Sequence, residues 1–216
     1  MKSEIIKRSV DLSNVESEGN IIEGTAVVFK DRTLIGNMFY EEISPEAFRD
    51  ADMTDVKMLY NHDTSKVIAR QNQKRASRNT MTIKIGENGL HFRSELATDK
   101  DPDAQSVYSK VSRGDVDQCS FGFTVVGDEW RDLDKEIPTR IITRIGKLLE
   151  LSLVAFPAYS NTTANARGCD GLADADQLAL DNARANYAEA EKRAKANYEL
   201  ELAKAKLKAK LKINVW

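Results

Sequence analysis

The chain has little cysteine and little histidine: two of each among 216 residues. Two cysteines, Cys119 and Cys169, cannot make a disulfide framework. No cysteine–histidine cluster has metal-ligand spacing, which argues against a structural zinc. Two histidines also leave a metallohydrolase poorly equipped, and no cofactor is implied. No apolar run is long enough to cross a bilayer. The N-terminus, Met1-Lys2-Ser3-Glu4-Ile5-Ile6-Lys7-Arg8, lacks the apolar centre of a signal peptide. The expectation is a soluble protein made in a cytoplasm, with no membrane partner.

The apolar share of 41% is enough for a core, beside a charged share of 31%. The length suits one domain plus an appendage. The net charge of −2 is unevenly spread. From Gln177 to the end there are nine Lys/Arg against five Asp/Glu, so an acidic body carries a basic tail. Such a tail suits nucleic acid, an acidic protein partner or self-association. The acidic body, and the absence of aromatics interleaved with the tail lysines, argue against specific nucleic-acid binding.

The body reads as many short strands with two or three helices. Ile22–Phe29, Phe39–Ile43, Val56–Tyr60 and Lys66–Arg70 are expected strands. Thr80–Ile85 and Leu90–Leu96 flank Gly86-Glu87-Asn88-Gly89 as a hairpin. Ser44-Pro45-Glu46 is a helix-start signal, with Ala47 and Phe48 as the buried side. Asp101-Pro102 starts a second helix that Gly114 closes. Asp128–Glu136 is expected to be a polar connection around Trp130. Thr139–Ile145 and Lys147–Phe156 read as two strands bent at Gly146, with Leu149, Leu151 and Leu153 on one face. The expected fold class is α+β, mainly an antiparallel sheet or barrel with helices packed outside. Ser160 to Gly171 is small and polar. Beyond it Ala185-Asn186-Tyr187 recurs as Ala196-Asn197-Tyr198 in a sequence rich in Ala, Glu, Lys and Leu, which predicts a helix. A strip of Leu200, Leu207 and Leu211 leaves that helix in want of a partner or another copy.

The chemistry centres on Gln118-Cys119-Ser120-Phe121-Gly122-Phe123-Thr124-Val125. Alternation puts Cys119, Phe121, Phe123 and Val125 towards the core and Ser120, Gly122 and Thr124 on an open face. Gly122 leaves room for something to approach the backbone. His62 follows a strand in a polar loop, where sites are built. His91 alternates with charged residues and reads as a solvated position. Glu150 interrupts a leucine-rich strand on the face that carries Ser152. A buried carboxylate there needs a partner, either Arg70, Arg144 or the imidazole of His62. Ser120, His62 and Glu150 together would form a nucleophilic triad. Cys119, on the opposite strand face, is a poor rival nucleophile.

Residues 22 to 167 resemble the prohead maturation proteases of tailed bacteriophages. The resemblance lies in Gly24-Thr25-Ala26-Val27-Val28-Phe29, Glu41-Glu42-Ile43-Ser44-Pro45-Glu46-Ala47-Phe48 and Leu59-Tyr60-Asn61-His62-Asp63. It continues through Arg113-Gly114-Asp115, Ser120-Phe121-Gly122-Phe123 and the run from Leu149 to Tyr159. The chain departs at Glu46, where the family often has glycine, and at Val67-Ile68-Ala69-Arg70. The resemblance implies a herpesvirus assemblin-like fold, a β-barrel wrapped by helices, with His62, Ser120 and Glu150 as catalytic residues. It implies a serine endopeptidase packaged inside the immature capsid in the host cytoplasm. Its substrates would be scaffold, the scaffold-like part of the major capsid protein, and itself, and self-association is expected. A catalytically inactive assembly subunit is the alternative. The expected division is a protease domain at 1–167, a linker at 168–180 and a basic helical tail at 181–216. The tail is expected to be a scaffold-like targeting segment.

Overall fold

The computed structural model describes residues 5–11, 16–155 and 170–213. The strands are β1 (Ile5–Asp11), β2 (Glu16–Glu18), β3 (Ile21–Val28), β4 (Thr33–Ile35), β5 (Phe39–Ile43), β6 (Asp55–Tyr60), β7 (Asp63–Asn72), β8 (Met81–Ile85), β9 (Gly89–Glu95), β10 (Gln118–Arg131) and β11 (Thr139–Val154). Helix α1 (Pro102–Ser112) lies between β9 and β10, and helix α2 (Asp170–Ile213) follows β11. The chain divides into two compact units, Met1–Ala173 and Asp174–Trp216.

The first unit is built from two sheets. One has seven strands in the order β1-β10-β11-β5-β4, with β6 joining β11 and β7 joining β6. The other has four, in the order β2-β3-β9-β8. Neither closes on itself, which corrects the expected barrel. The cause is the long strand β11. Its first half pairs in parallel with β5, from Thr139↔Tyr40 to Ile142↔Ile43. Its second half pairs in parallel with β6, from Glu150↔Lys57 to Leu153↔Tyr60. One edge thus serves two strands in succession, and the sheet forks instead of curling round. Nor do helices wrap it: among the described residues of this unit, α1 is the one α-helix. Asp101 caps α1 by accepting from the Asp103 N–H, and Pro102 occupies the first turn, as the sequence signals. Ala104, Val107 and Val111 form its buried side.

The core includes Phe48, Met58, Leu90, Phe92, Phe121, Phe123 and Leu151. Three local expectations fail for identifiable reasons. Ser44-Pro45-Glu46 opens a run of turns, not a helix: Ala47 N–H donates to Ser44 C=O and Arg49 N–H to Glu46 C=O, each three residues back. Ala47 and Phe48 are nevertheless fully buried. The connection expected at 128–136 is mostly strand, because β10 runs to Arg131 and pairs with β11 throughout. There Trp130 meets Phe39 edge-on at 5.0 Å. Finally, β11 is one strand, unbroken at Gly146, and it carries a bulge at Leu149. Gly122 pairs with Glu150 but Phe123 pairs with Leu148, so the inward phase shifts. Leu148, not Leu149, is the fully buried residue.

A buried charge network crosses the larger sheet. Arg8 donates to both carboxylate oxygens of Glu41. Arg140 lies 3.5 Å from Glu41 and donates to Asp128 at 2.7 Å. Each charge is matched, as burial requires. Residues 170–180, expected as linker, are helical from Asp170 onward. The rest of the small, polar stretch and Cys169 lie outside the described residues. No described helix is long and apolar enough to cross a membrane.

Candidate functional site

Strands β6 and β7 are joined by a two-residue loop, Asn61-His62, closed by the pair Tyr60↔Asp63. Both loop residues have positive φ, 50° for Asn61 and 59° for His62. Positive φ at both positions is what a type I′ hairpin turn requires, and asparagine and histidine tolerate it better than most residues. The loop is tied to β11: Asn61 N–H donates to Leu153 C=O at 3.0 Å. That tether places the imidazole of His62 beside the C-terminal part of β11.

There His62 Nδ1 lies 2.7 Å from Glu150 Oε1. Ser152 Oγ donates to the other oxygen, Oε2, at 2.9 Å. Lys7 Nζ on β1 stands 3.9 Å from Oε1. Burial raises the pKa of Glu150, but hydrogen bonding and charge from His62, with smaller help from Ser152 and Lys7, outweigh it. The net result lies below the ordinary glutamate value. Glu150 is therefore a carboxylate at neutral pH. Of the sequence candidates for its partner, Arg70 is engaged with Asp55 at 2.7 Å and Arg144 with the Val126 carbonyl.

Ser120 reaches this cluster through strand register. It pairs with Ser152, as Gly122 pairs with Glu150, so these four residues share one face of the sheet. Direct cross-strand neighbours hold their Cβ atoms about 5 Å apart. The face is not open, as the alternation suggested: Ser120 is fully buried. Its Oγ has no hydrogen-bond partner among the described residues, and neither has His62 Nε2, which is also buried. With Nδ1–H turned to Glu150, Nε2 is the ring nitrogen with a free lone pair. A hydroxyl without an acceptor and a nitrogen without a donor are complementary.

The room left by Gly122 has a specific occupant. A Cβ there would stand 2.8 Å from Glu150 Cγ and 3.0 Å from Oε1. The glutamate stem lies across the glycine, and any side chain would push it off. Gly122→Ala is expected to displace the carboxylate from His62, and to lower roughly 10–100-fold the kcat/KM of any activity that rests on that pair. Steady-state kinetics, with thermal melting as a control for folding, check this.

The other candidates fall away. His91 sits in the smaller sheet, with its ring nitrogens at 3.0 Å from Thr25 and 3.1 Å from Asn88. Cys119 is a free, fully buried thiol whose pKa burial pushes up to about 12, so it is inert as a nucleophile. Among the described residues no group of three or more His, Cys, Asp and Glu side chains could hold a metal ion. Sequence reading missed Lys7, which reaches Glu150 from a strand that pairs Lys7 with Gly122. The one available signal for Ser152, its shared face with Glu150, did not reveal its hydrogen bond.

A comparison with curated proteins finds no match. Among solved structures, the chain is similar to the bacteriophage T4 capsid assembly protease, gp21, at 7% identity and a TM-score of 0.46. That alignment covers 71% of this chain and 99% of that one. The model of one sequence family, described as Caudovirus prohead serine protease, matches residues 8–174, more than three-quarters of the 216-residue chain. His62, Ser120 and Glu150 all lie inside that match, and the chain belongs to the Caudovirus prohead serine protease family.

Proposed function

We propose that the chain is an active serine endopeptidase of capsid maturation, with Ser120 as nucleophile, His62 as general base and Glu150 as the group that orients the histidine. One observation carries the reading: Glu150 Oε1 holds His62 Nδ1 at 2.7 Å, and His62 Nε2 and Ser120 Oγ are both buried and unpartnered among the described residues. Ser120 Oγ attacks the scissile carbonyl carbon while its proton passes to Nε2. The imidazolium that forms is stabilised by the Glu150 carboxylate. Nε2–H then protonates the leaving amine, and the acyl-enzyme is hydrolysed by water activated in the same way. Backbone N–H groups near Ser120 or in an adjacent loop hold the oxyanion.

The substrates are scaffold, or the scaffold-like part of the major capsid protein, and then the protease itself, inside the prohead. Family membership supports the setting. The complete burial of Ser120 supports latency, in which the site opens after assembly and the host is spared. The test is intact mass over time for wild type and Ser120→Ala, with and without coexpressed capsid protein. Fragments are expected in the wild type alone. Equal fragments in both would remove Ser120 from the mechanism. No fragments in either, with capsid protein present, would favour a catalytically inactive assembly subunit.

A further inference from the structure

Helix α2 is 44 residues long, about 66 Å at the usual rise per residue. From Asp181 to Lys208 every residue is exposed except the half-buried Ala183. Tyr187, Tyr198 and Leu202 are 43%, 69% and 42% exposed. An exposed apolar strip of this kind is left in water unless something covers it.

The strip has an internal symmetry. Eleven residues turn a helix through about three full turns plus 20°, so Tyr187 and Tyr198 stand on one side. Steps of three and four residues place Ala183, Tyr187, Glu191, Ala194, Tyr198 and Leu202 in one row. The spacing of this row reads the same in both directions about the bond between Lys192 and Arg193. If a second copy is turned end over end, Tyr187 falls opposite Tyr198, Ala183 opposite Leu202 and Glu191 opposite Ala194. Each alanine then meets a larger residue, and the two tyrosines meet each other.

Charge follows the same symmetry. Residues 170–191 carry six acids and one arginine, and residues 192–213 carry eight Lys/Arg and two glutamates. Such segregation also suits the helix dipole, which needs no second copy. An acidic partner would match only the basic half, and nucleic acid would be repelled by the other. A second, inverted α2 matches both. Asp181 then falls beside Lys206, and Arg184 beside Glu199. Parallel, in-register pairing would set the lysine run at 204–212 against itself.

We propose that α2 pairs antiparallel with α2 of a second copy of this chain through the row from Ala183 to Leu202. Leu200 and Leu207 project from the other side of the helix and take no part. The inference rests on α2 alone and stands whether or not Ser120 is a nucleophile.

The test uses the full chain with Ser120→Ala, to keep the tail intact, and Cys169→Ser. Cys119 is buried and does not compete. Tyr187→Cys and Tyr198→Cys variants are oxidised separately and as a mixture. A disulfide-linked dimer is expected in the mixture and not in either variant alone. Dimer in each variant alone would mean parallel pairing and overturn the proposal, as would no dimer in the mixture. Sedimentation gives a second readout without engineered thiols. Lys204→Glu with Lys206→Glu is expected to weaken dimerisation at least about tenfold, and added Asp181→Lys to recover most of that loss. A monomer at every concentration, or a dimer indifferent to these charges, overturns the proposal.

Discussion

With His62 changed to asparagine, peptide hydrolysis is expected to fall by about 10⁶-fold while the melting temperature stays within a few degrees of wild type. The activity is lost because the base proposed for Ser120 is gone. The fold survives because of where His62 sits. Its φ is 59°, following 50° at Asn61, in the two-residue turn between β6 and β7. Asparagine accepts that conformation, and Ser152 and Lys7 still face the Glu150 carboxylate. His62→Val removes the same chemistry and places a β-branched residue at positive φ, which costs about 1–3 kcal/mol. It should therefore melt several degrees below His62→Asn, at about 2–4 °C per kcal/mol for a chain of this length. Calorimetry beside a peptide-cleavage assay separates the two effects. If His62→Asn kept a tenth or more of wild-type activity, His62 would not be the base.

Glu150→Gln is expected to lower kcat by about 10⁴-fold with little change in KM. The glutamine amide can donate to Nδ1, which leaves the proton on Nε2 where Ser120 needs an acceptor. It also withdraws the negative charge that stabilises the imidazolium. The effect on stability has a pH signature. Glu150 has a depressed folded pKa, so its ionisation adds stability above the unfolded carboxylate pKa. That contribution disappears as pH falls through the folded value. The difference in melting temperature between wild type and Glu150→Gln should therefore be present at neutral pH and shrink below about pH 4. A difference that grew on acidification would mean that Glu150 is held protonated, and the assignment of its role would fail.

The local signals that held are those in which neighbours in sequence settle the structure. The β8–β9 hairpin follows from alternation on either side of a glycine-rich turn. Helix α1 follows from Asp101, Pro102 and a three-to-four spacing of apolar residues. The two faces of β10 follow from strict alternation, which is why Ser120 could be separated from Cys119 by sequence alone. Glu150 betrayed its need of a partner because a carboxylate among leucines is costly.

Long-range pairing decided the rest. Whether the strands close into a barrel depends on which edges of β11 are taken, and β5 and β6 both take the same edge. The phase of β11 turns on a bulge at Leu149, which exists only because β10 runs beside it. Ser44-Pro45-Glu46 signals a helix in isolation, but the chain there closes as successive four-residue turns that include Ala47 and Phe48. Choosing His62 over Arg70 and Arg144 as the partner of Glu150 required the tether of Asn61 to Leu153. Lys7 meets Glu150 from 143 positions away in sequence. The sequence by itself determined the residue types of the candidate site, the strand that bears Ser120 and the helical tail, because these rest on interactions between near neighbours. Only the tertiary structure decided which imidazole meets which carboxylate, and that Ser120 is shut away from solvent, because both depend on strands far apart in the chain coming together.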